Sequence, residues 1–249
     1  MIYVANSSLL GSVTSYDATA SGDVPPSATL SGGTTGLEWP FGLALDSSGR
    51  LYVANAYATN NVTVYALGAS GDVAPTATIA GLNTGLDYPI GLVLDGAGRL
   101  YVANDGDSTI TVYAPGASGN AAPIATIGGA NTALHSPQGL TVDGAGRLYV
   151  SNPFVPAITI YAAGASGDVA PIATLMGSNT KLDRPQGIAF DALYRLYVAD
   201  FTTSSVLVFA PGATGDVAPV TVIAGTSTGL SFPRGIAVDG AGRIYVTNW

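Results

Sequence analysis

A proline recurs in this chain at Pro40, Pro89, Pro137, Pro185 and Pro233, at a step of 49 residues once and 48 three times. Each opens a Pro-x-Gly-Leu/Ile segment that runs into an Asp-x-x-x-Arg turn and then a Leu/Ile-Tyr-Val run, with Pro89–Ser136 as a full example. A period of this length restricts the fold to an array of one supersecondary unit. No such unit buries its apolar face alone, so neighbours must stack.

Within the first complete repeat, four short runs are separated by turn residues: Gly42–Asp46, Leu51–Ala54, Val62–Ala66 and Thr76–Ala80, here called strands A to D. β-Branched residues and tyrosine fill them, and Gly, Pro, Asn and Asp punctuate them. No segment carries an apolar 3.6-residue period long enough for a helix. Both faces of each run are apolar or small, as Leu51 and Val53 against Tyr52 and Ala54 show, which is how sheets buried on both sides read. Four-stranded sheets stacked face to face about an axis satisfy that demand and leave only short edges. The expected fold is therefore an all-β β-propeller of four-stranded antiparallel blades, in a single domain over residues 1–249.

Strands A, C and D occur five times and strand B six times, the B copies beginning at Ile2, Leu51, Leu100, Leu148, Leu196 and Ile244. The chain opens B-C-D, continues through four complete blades with repeats near 40–88, 89–136, 137–184 and 185–232, and stops after A-B. Five blades are expected, the last made from 233–249 together with 1–39. In it Gly235–Asn248 would supply A and B to Ser12–Tyr16 and Ala28–Ser31, leaving Ile2–Asn6 redundant. A six-bladed ring is the alternative, but it lacks three strands and leaves wide edges open. The surplus strand Ile2–Asn6 also suggests strand exchange with a second molecule, and so oligomerisation.

The A–B turn Asp95-Gly96-Ala97-Gly98-Arg99 places a glycine at the left-handed position of a hairpin loop, with an aspartate able to accept from turn N–H groups. The pairs Asp46/Arg50, Asp143/Arg147, Asp191/Arg195 and Asp239/Arg243 repeat it, and read as a clasp on each blade. One copy departs: Asp191-Ala192-Leu193-Tyr194-Arg195 has Tyr where Gly is expected. Either that turn changes type or Tyr194 accepts a positive φ at about 1 kcal/mol, and a local irregularity is predicted. The C–D connection Gly68-Ala69-Ser70-Gly71-Asp72-Val73-Ala74-Pro75 recurs around Asn120, Asp168 and Asp216. It leads into a strand rather than a helix N-terminus, which argues against a phosphate loop.

Net charge is −8, and the eight basic residues are dispersed. Nucleic acids and anionic membranes need clustered Lys and Arg, so neither is an expected partner. No apolar run approaches the roughly 18 residues of a spanning helix, so no membrane insertion is expected, and no signal peptide precedes the first repeat strand. The absence of cysteine excludes disulfides. Few lysines and Ser/Thr/Asn-rich loops favour a secreted or cell-surface location.

The pattern Pro-x-Gly-Ile/Leu-x-x-Asp-x-x-Gly-Arg-Ile/Leu-Tyr-Val-x-Asn/Asp, as in Pro233–Asp239 leading to Arg243–Val246, resembles that of NHL-repeat β-propellers. It is also similar to that of the virginiamycin B lyases and YVTN-type propellers. The resemblance covers the whole chain and implies the propeller fold; the scaffold itself hosts lyases, RNA binders and protein binders. Lyase-like members use histidines at the channel entrance with a carboxylate-bound divalent metal. The matching positions after the prolines here are Phe41, Ile90, Gln138, Gln186 and Arg234, none of them histidine. The single histidine is His135 and the single glutamate Glu38.

In an antiparallel meander, A–B and C–D turns lie at one end of each blade, B–C and D–A loops at the other. The first set is near-identical between repeats and the second divergent. The divergent set supplies the candidate ligand-binding residues Glu38, Trp39, Phe41, Tyr88, Ile90, His135, Gln138, Arg184, Gln186, Phe232 and Arg234, a mixture of aromatics with a few charges. The expected function is a non-catalytic binding or scaffold propeller for a protein, peptide or glycan, with no cofactor, no metal and no assigned catalytic residue. The alternatives are a metal-assisted lyase or lactonase at the channel mouth, and a structural or engineered repeat propeller that self-assembles.

Overall fold

In a computed structural model that describes residues 1–57 and 59–249, the chain is an all-β β-propeller of four-stranded antiparallel blades. An N-terminal sheet holds β1 (Ile2–Asn6), β2 (Ser12–Tyr16) and β3 (Ala28–Ser31). Four complete blades follow. They are β4 (Pro40–Leu45) to β7 (Ala77–Ile79), β8 (Pro89–Leu94) to β11 (Ala125–Ile127), β12 (Leu140–Val142) to β15 (Ala173–Met176), and β16 (Pro185–Phe190) to β19 (Thr221–Ala224). The second strands are β5 (Leu51–Asn55), β9 (Leu100–Asn104), β13 (Leu148–Asn152) and β17 (Leu196–Asp200), and the third are β6 (Asn61–Tyr65), β10 (Thr109–Tyr113), β14 (Ala157–Tyr161) and β18 (Ser205–Phe209). The hairpin β20 (Pro233–Val238) and β21 (Ile244–Asn248) forms a two-stranded sheet. By contact density the chain divides into two compact units, Met1–Asp107 with Thr111–Ile124, and Ser108–Ile110 with Ala125–Trp249.

The expected final blade is corrected at its strand pairing. β1 is not redundant: it pairs with β2 from Ile2↔Tyr16 to Asn6↔Ser12, taking the edge that Ile244–Asn248 was expected to fill. β21 pairs with β20 instead, in a sheet of its own. The physical reason is that Ile2-Tyr3-Val4-Ala5-Asn6 and Ile244-Tyr245-Val246-Thr247-Asn248 match at four of five positions. Either one satisfies the same ladder, and β1 closes on β2 over a much shorter loop.

In the first unit, β5 and β9 are buried at every residue. Val62, Val64 and Ile79 of one blade interdigitate with Leu100, Val102 and Tyr113 of the next, so each sheet is buried on both faces. In the second unit, Ile158, Ile160 and Leu175 meet Ile188, Leu196, Val198 and Phe209 in the same way. Each such aliphatic side chain contributes about 1.5–3 kcal/mol on burial.

The recurrent glycine of Pro-x-Gly is explained by the inner strands. A Cβ at Gly42 would lie 2.2 Å from the carbonyl oxygen of Ile90, at Gly139 2.3 Å from that of Gln186, and at Gly187 2.5 Å from that of Arg234. Only a residue without a side chain lets the first strands of successive blades approach so closely.

The C–D loop turns out to be a clasp between successive blades. Asp72 Oδ1 accepts from the backbone N–H of Thr34, Asn120 Oδ1 from that of Asn83, Asp168 Oδ1 from that of Asn131 and Asp216 Oδ1 from that of Asn179. Parallel bridges Leu30↔Gly71, Ile79↔Gly119, Ile127↔Gly167 and Leu175↔Gly215 extend each clasp along the outer strand.

Asp46 Oδ1 accepts from the backbone N–H groups of Ser48 and Arg50, and its Oδ2 takes Arg50 Nε at 2.6 Å. Burial alone would raise this carboxyl, but those bonds from Ser48 and Arg50 outweigh it and hold it at about 2. The predicted irregularity at Tyr194 is not found. Tyr194 N–H donates to Asp191 O at 3.0 Å, as Gly98 N–H does to Asp95 O at 2.9 Å, and the Arg195–Asp191 pair closes at 2.6 Å. Tyr194 accepts φ +58° where the glycines have +78°, because the aspartate clasp fixes the turn more strongly than the left-handed penalty opposes it.

Candidate functional site

The B–C and D–A loops are tied together by the asparagine that ends each second strand. Asn55 Oδ1 accepts from Glu38 N–H, Asn104 Oδ1 from Asp87 N–H, Asn152 Oδ1 from His135 N–H and Asn248 Oδ1 from Ser231 N–H. Asp200 takes the same place, accepting from the N–H groups of Asp183 and Arg184. Backbone bonds complete the zipper: Ala56 N–H to Trp39 O, Asp105 N–H to Tyr88 O, Phe201 N–H to Arg184 O and Trp249 N–H to Phe232 O. The residues before four of the five recurrent prolines, Trp39, Tyr88, Ser136 and Phe232, have positive φ, between 45° and 55°, whereas Arg184 before Pro185 does not. A left-handed residue before proline is a costly combination, held here by the surrounding bonds.

In the first unit the loops gather four aromatic rings. Tyr57, exposed, has its ring 5.1 Å from Trp39, 6.4 Å from Phe41 and 4.4 Å from Tyr88, centroid to centroid. Trp39, Phe41 and Tyr88 were the sequence candidates, and Tyr57 at their centre was not among them. Its signal was an aromatic in a B–C loop of otherwise small residues, but only folding brings that loop over three D–A positions. Glu38 stands half-buried beside them, and Ile90 contributes its carbonyl to the close strand approach at Gly42.

In the second unit the loops build a stack of arginines and rings. The Arg184 guanidinium carbon lies 5.1 Å from the Phe154 centroid and 4.8 Å from that of Phe201. Arg234 lies 5.8 Å from Phe201 on its own account and 4.0 Å from Trp249, and Phe232 packs on Phe201 at 5.1 Å. Each such cation–ring contact contributes about 0.5–2 kcal/mol, most where water is excluded. Phe154, Phe201 and Trp249 were missed as site residues because their loops look unrelated in sequence. Arg184 Nε and Gln186 Nε2 are buried donors without a hydrogen-bond acceptor among the described residues. Gln186 is 3% exposed, and its carbonyl accepts from Ser151 Oγ at 2.6 Å. Gln138 is half-buried, its N–H bonded to Ser151 O. His135 is exposed and outside the stack. Among the described residues, no group of three or more His, Asp or Glu side chains is placed to hold a metal ion.

No protein-family model matches the chain, and no curated protein matches it. Solved structures do. A protein of unknown function from Bacteroides caccae aligns with a TM-score of 0.68 at 13% identity, over 99% of this chain and 82% of that one. The nidogen/laminin complex gives a chain with a TM-score of 0.64 at 18% identity, over 99% and 85%. Virginiamycin B lyase from Staphylococcus aureus gives 0.59 at 14% identity, over 84% of this chain, which spans 63% of the lyase's length. The chain is thus a β-propeller of the kind these structures share. That likeness is one of fold.

Proposed function

We propose that this protein is a non-catalytic binding propeller that recognises a protein, peptide or glycan with its B–C and D–A loops. The observation carrying this reading is the convergence of rings and guanidinium groups on those loops, Trp39, Phe41, Tyr57 and Tyr88 in one unit, and Arg184, Phe201, Phe232, Arg234 and Trp249 in the other. Aromatic side chains and arginine are what recognition surfaces enrich, since they bury large area with few lost rotamers. The buried donors Arg184 Nε and Gln186 Nε2 favour a ligand that brings acceptors. One structural neighbour comes from a complex between two proteins, nidogen and laminin, which is consistent with the reading. The test is a combined peptide and glycan array with the parent chain, Trp39→Ala and Tyr88→Ala. Hits that weaken at least about tenfold in the variants are expected. An array without hits rejects the proposal. The metal-assisted lyase or lactonase alternative is separated by thermal shift with Mg²⁺ and Ca²⁺, which a binding propeller of this type does not need.

Assembly through β1 is a second reading, supported by the near-identity of Ile2–Asn6 with Ile244–Asn248, so that the last strand of a second molecule fits the edge of β2 that β1 takes. Deleting Met1–Asn6 is expected to change the oligomer distribution by size-exclusion chromatography with light scattering. An unchanged distribution rejects it.

A further inference from the structure

The A–B turns are the most uniform part of the repeat, and one of them is rebuilt. Where the other blades have Leu45, Leu94, Val142 and Val238 the chain has Phe190, and where they have Gly49, Gly98, Gly146 and Gly242 it has Tyr194. Leu193 replaces Ser48, Ala97, Ala145 and Ala241 in the same turn, while Asp191 and Arg195 are retained. The hydrogen bonds of the hairpin are unchanged, so these replacements do not serve the turn itself.

They line a depression open to solvent. Of about 420 Å³, this recess is bounded by Asp143, Arg147, Tyr149, Phe190 and Tyr194, with Gly144–Ala145 and Pro211–Gly212 at its rim. Tyr149 and Phe190 meet at 4.9 Å and 90°, Phe190 and Tyr194 at 6.2 Å and 63°. The tyrosine reaches across to the preceding blade's turn, where any Cβ at Gly144 would fall 2.2 Å from its hydroxyl. Half-exposed and at a left-handed φ, Tyr194 is a side chain the turn would be less strained without.

We propose that this recess is a saccharide-binding site, separate from the loop face and taking one pyranose ring or a disaccharide. The volume falls in the lower part of the range for small-ligand pockets. The rings stand edge to face, so no parallel slot exists for a flat aromatic ligand. Tyr149 is buried, with the Arg147 guanidinium 6.0 Å over its ring, so half-exposed Tyr194 and part-buried Phe190 are the rings that meet the slightly positive C–H face of a sugar chair. Asp143 is already engaged, accepting from Ala145 N–H, Arg147 N–H and Arg147 Nε, which leaves no free carboxylate for a cationic ligand. Arg147 uses only Nε in that pair, and its side chain is 43% exposed. Its terminal amino groups and the turn backbone are left to bond ring hydroxyls.

The test is a titration of the isotope-labelled chain, followed by NMR, with methyl α-glucopyranoside, N-acetylglucosamine and glucuronate as probes and benzoate as comparison. Saturable shifts centred on Tyr149, Phe190 and Tyr194 are expected with at least one sugar, at a Kd of about 0.1–10 mM. Tyr194→Gly and Phe190→Val, which restore the repeat pattern, are expected to weaken binding about tenfold or more. The melting temperature of Tyr194→Gly should stay within about 3 °C of the parent, because relief of the left-handed strain offsets the lost ring contacts. No saturable shift with any sugar, shifts confined to the loops around Trp39, tighter binding of benzoate, or a larger fall in melting temperature would each overturn the inference. Shifts around Trp39 alone would support the loop-face reading while rejecting this one.

Discussion

Replacing Tyr113 by Phe tests whether the repeat is held by a buried hydroxyl rather than by hydrophobic burial alone. The Tyr113 hydroxyl donates to the carbonyl of Thr84 at 2.6 Å, and both residues are buried, at 0% and 1% exposed. No other donor among the described residues reaches that carbonyl. The substitution removes one oxygen and leaves the ring in place, so the cavity it opens is small. The cost is the orphaned buried carbonyl, about 1–3 kcal/mol. For a chain of this size that is a fall in melting temperature of about 3–8 °C. Urea unfolding followed by circular dichroism should show a lower midpoint at unchanged slope. A built-in comparison exists, since Tyr65 and Tyr161 make the same bond to Thr35 and Thr132, whereas the fourth complete blade has Phe209 at the tyrosine's place in the repeat and buried Thr180 at the threonine's. Phe209→Tyr should therefore stabilise, by about 1 kcal/mol. If Tyr113→Phe costs less than about 0.5 kcal/mol while Phe209→Tyr destabilises, the hydroxyl is incidental and the reasoning fails.

Burial pushes the hydroxyls of Tyr65, Tyr113 and Tyr161 up to about 12, with bonding to Thr63, Thr111 and Thr159 pulling slightly the other way. The stability these neutral phenols carry is complete below the unfolded value of 10.0 and is lost as pH rises toward about 12, so alkaline unfolding in that window should be shallower in Tyr113→Phe. The Asp46 carboxyl, and that of Asp239, held down chiefly by the backbone N–H of Arg243, lie at about 2. Their contribution is present above the unfolded value of 3.8 and is lost as pH falls toward about 2, so Asp46→Asn should flatten acid unfolding there; an unchanged acid limb would refute this. Gly187→Ala sets a methyl 2.5 Å from the Arg234 carbonyl and 3.0 Å from Ile236 N, and should cost about 1–3 kcal/mol by the same urea assay, whereas Gly116, with nothing within 4 Å, should respond only through its left-handed φ. Asp168→Ala should speed amide exchange at Asn131, whose N–H it accepts at 2.7 Å, while Asp168→Asn should be tolerated because Asn120 already plays that part for Asn83.

How legible the fold was depended on the range of the interaction. Strand β2 was read as Ser12–Tyr16 and β3 as Ala28–Ser31, the bounds the structure has, because alternation and turn chemistry act within a few residues. The aspartate–arginine turn was legible for the same reason, as was the divergence of the B–C and D–A loops. Tyr57 was passed over, because its meeting with Trp39, Phe41 and Tyr88 joins two loops and two prolines that lie far apart in the chain. The glycine after each proline was visible as a pattern without a cause until the next blade's carbonyl was placed against it.

The sequence by itself determined the repeat, through its recurrence every 48 or 49 residues, and the strands and turns within each blade, through patterns in segments shorter than about ten residues. Tertiary structure alone decided that Ile2–Asn6 and not Ile244–Asn248 pairs with Ser12–Tyr16, and that Tyr194 keeps a glycine's conformation. Both choices are between states that the residue pattern leaves close in energy; the short β1–β2 connection settles the first and the Asp191–Arg195 clasp the second.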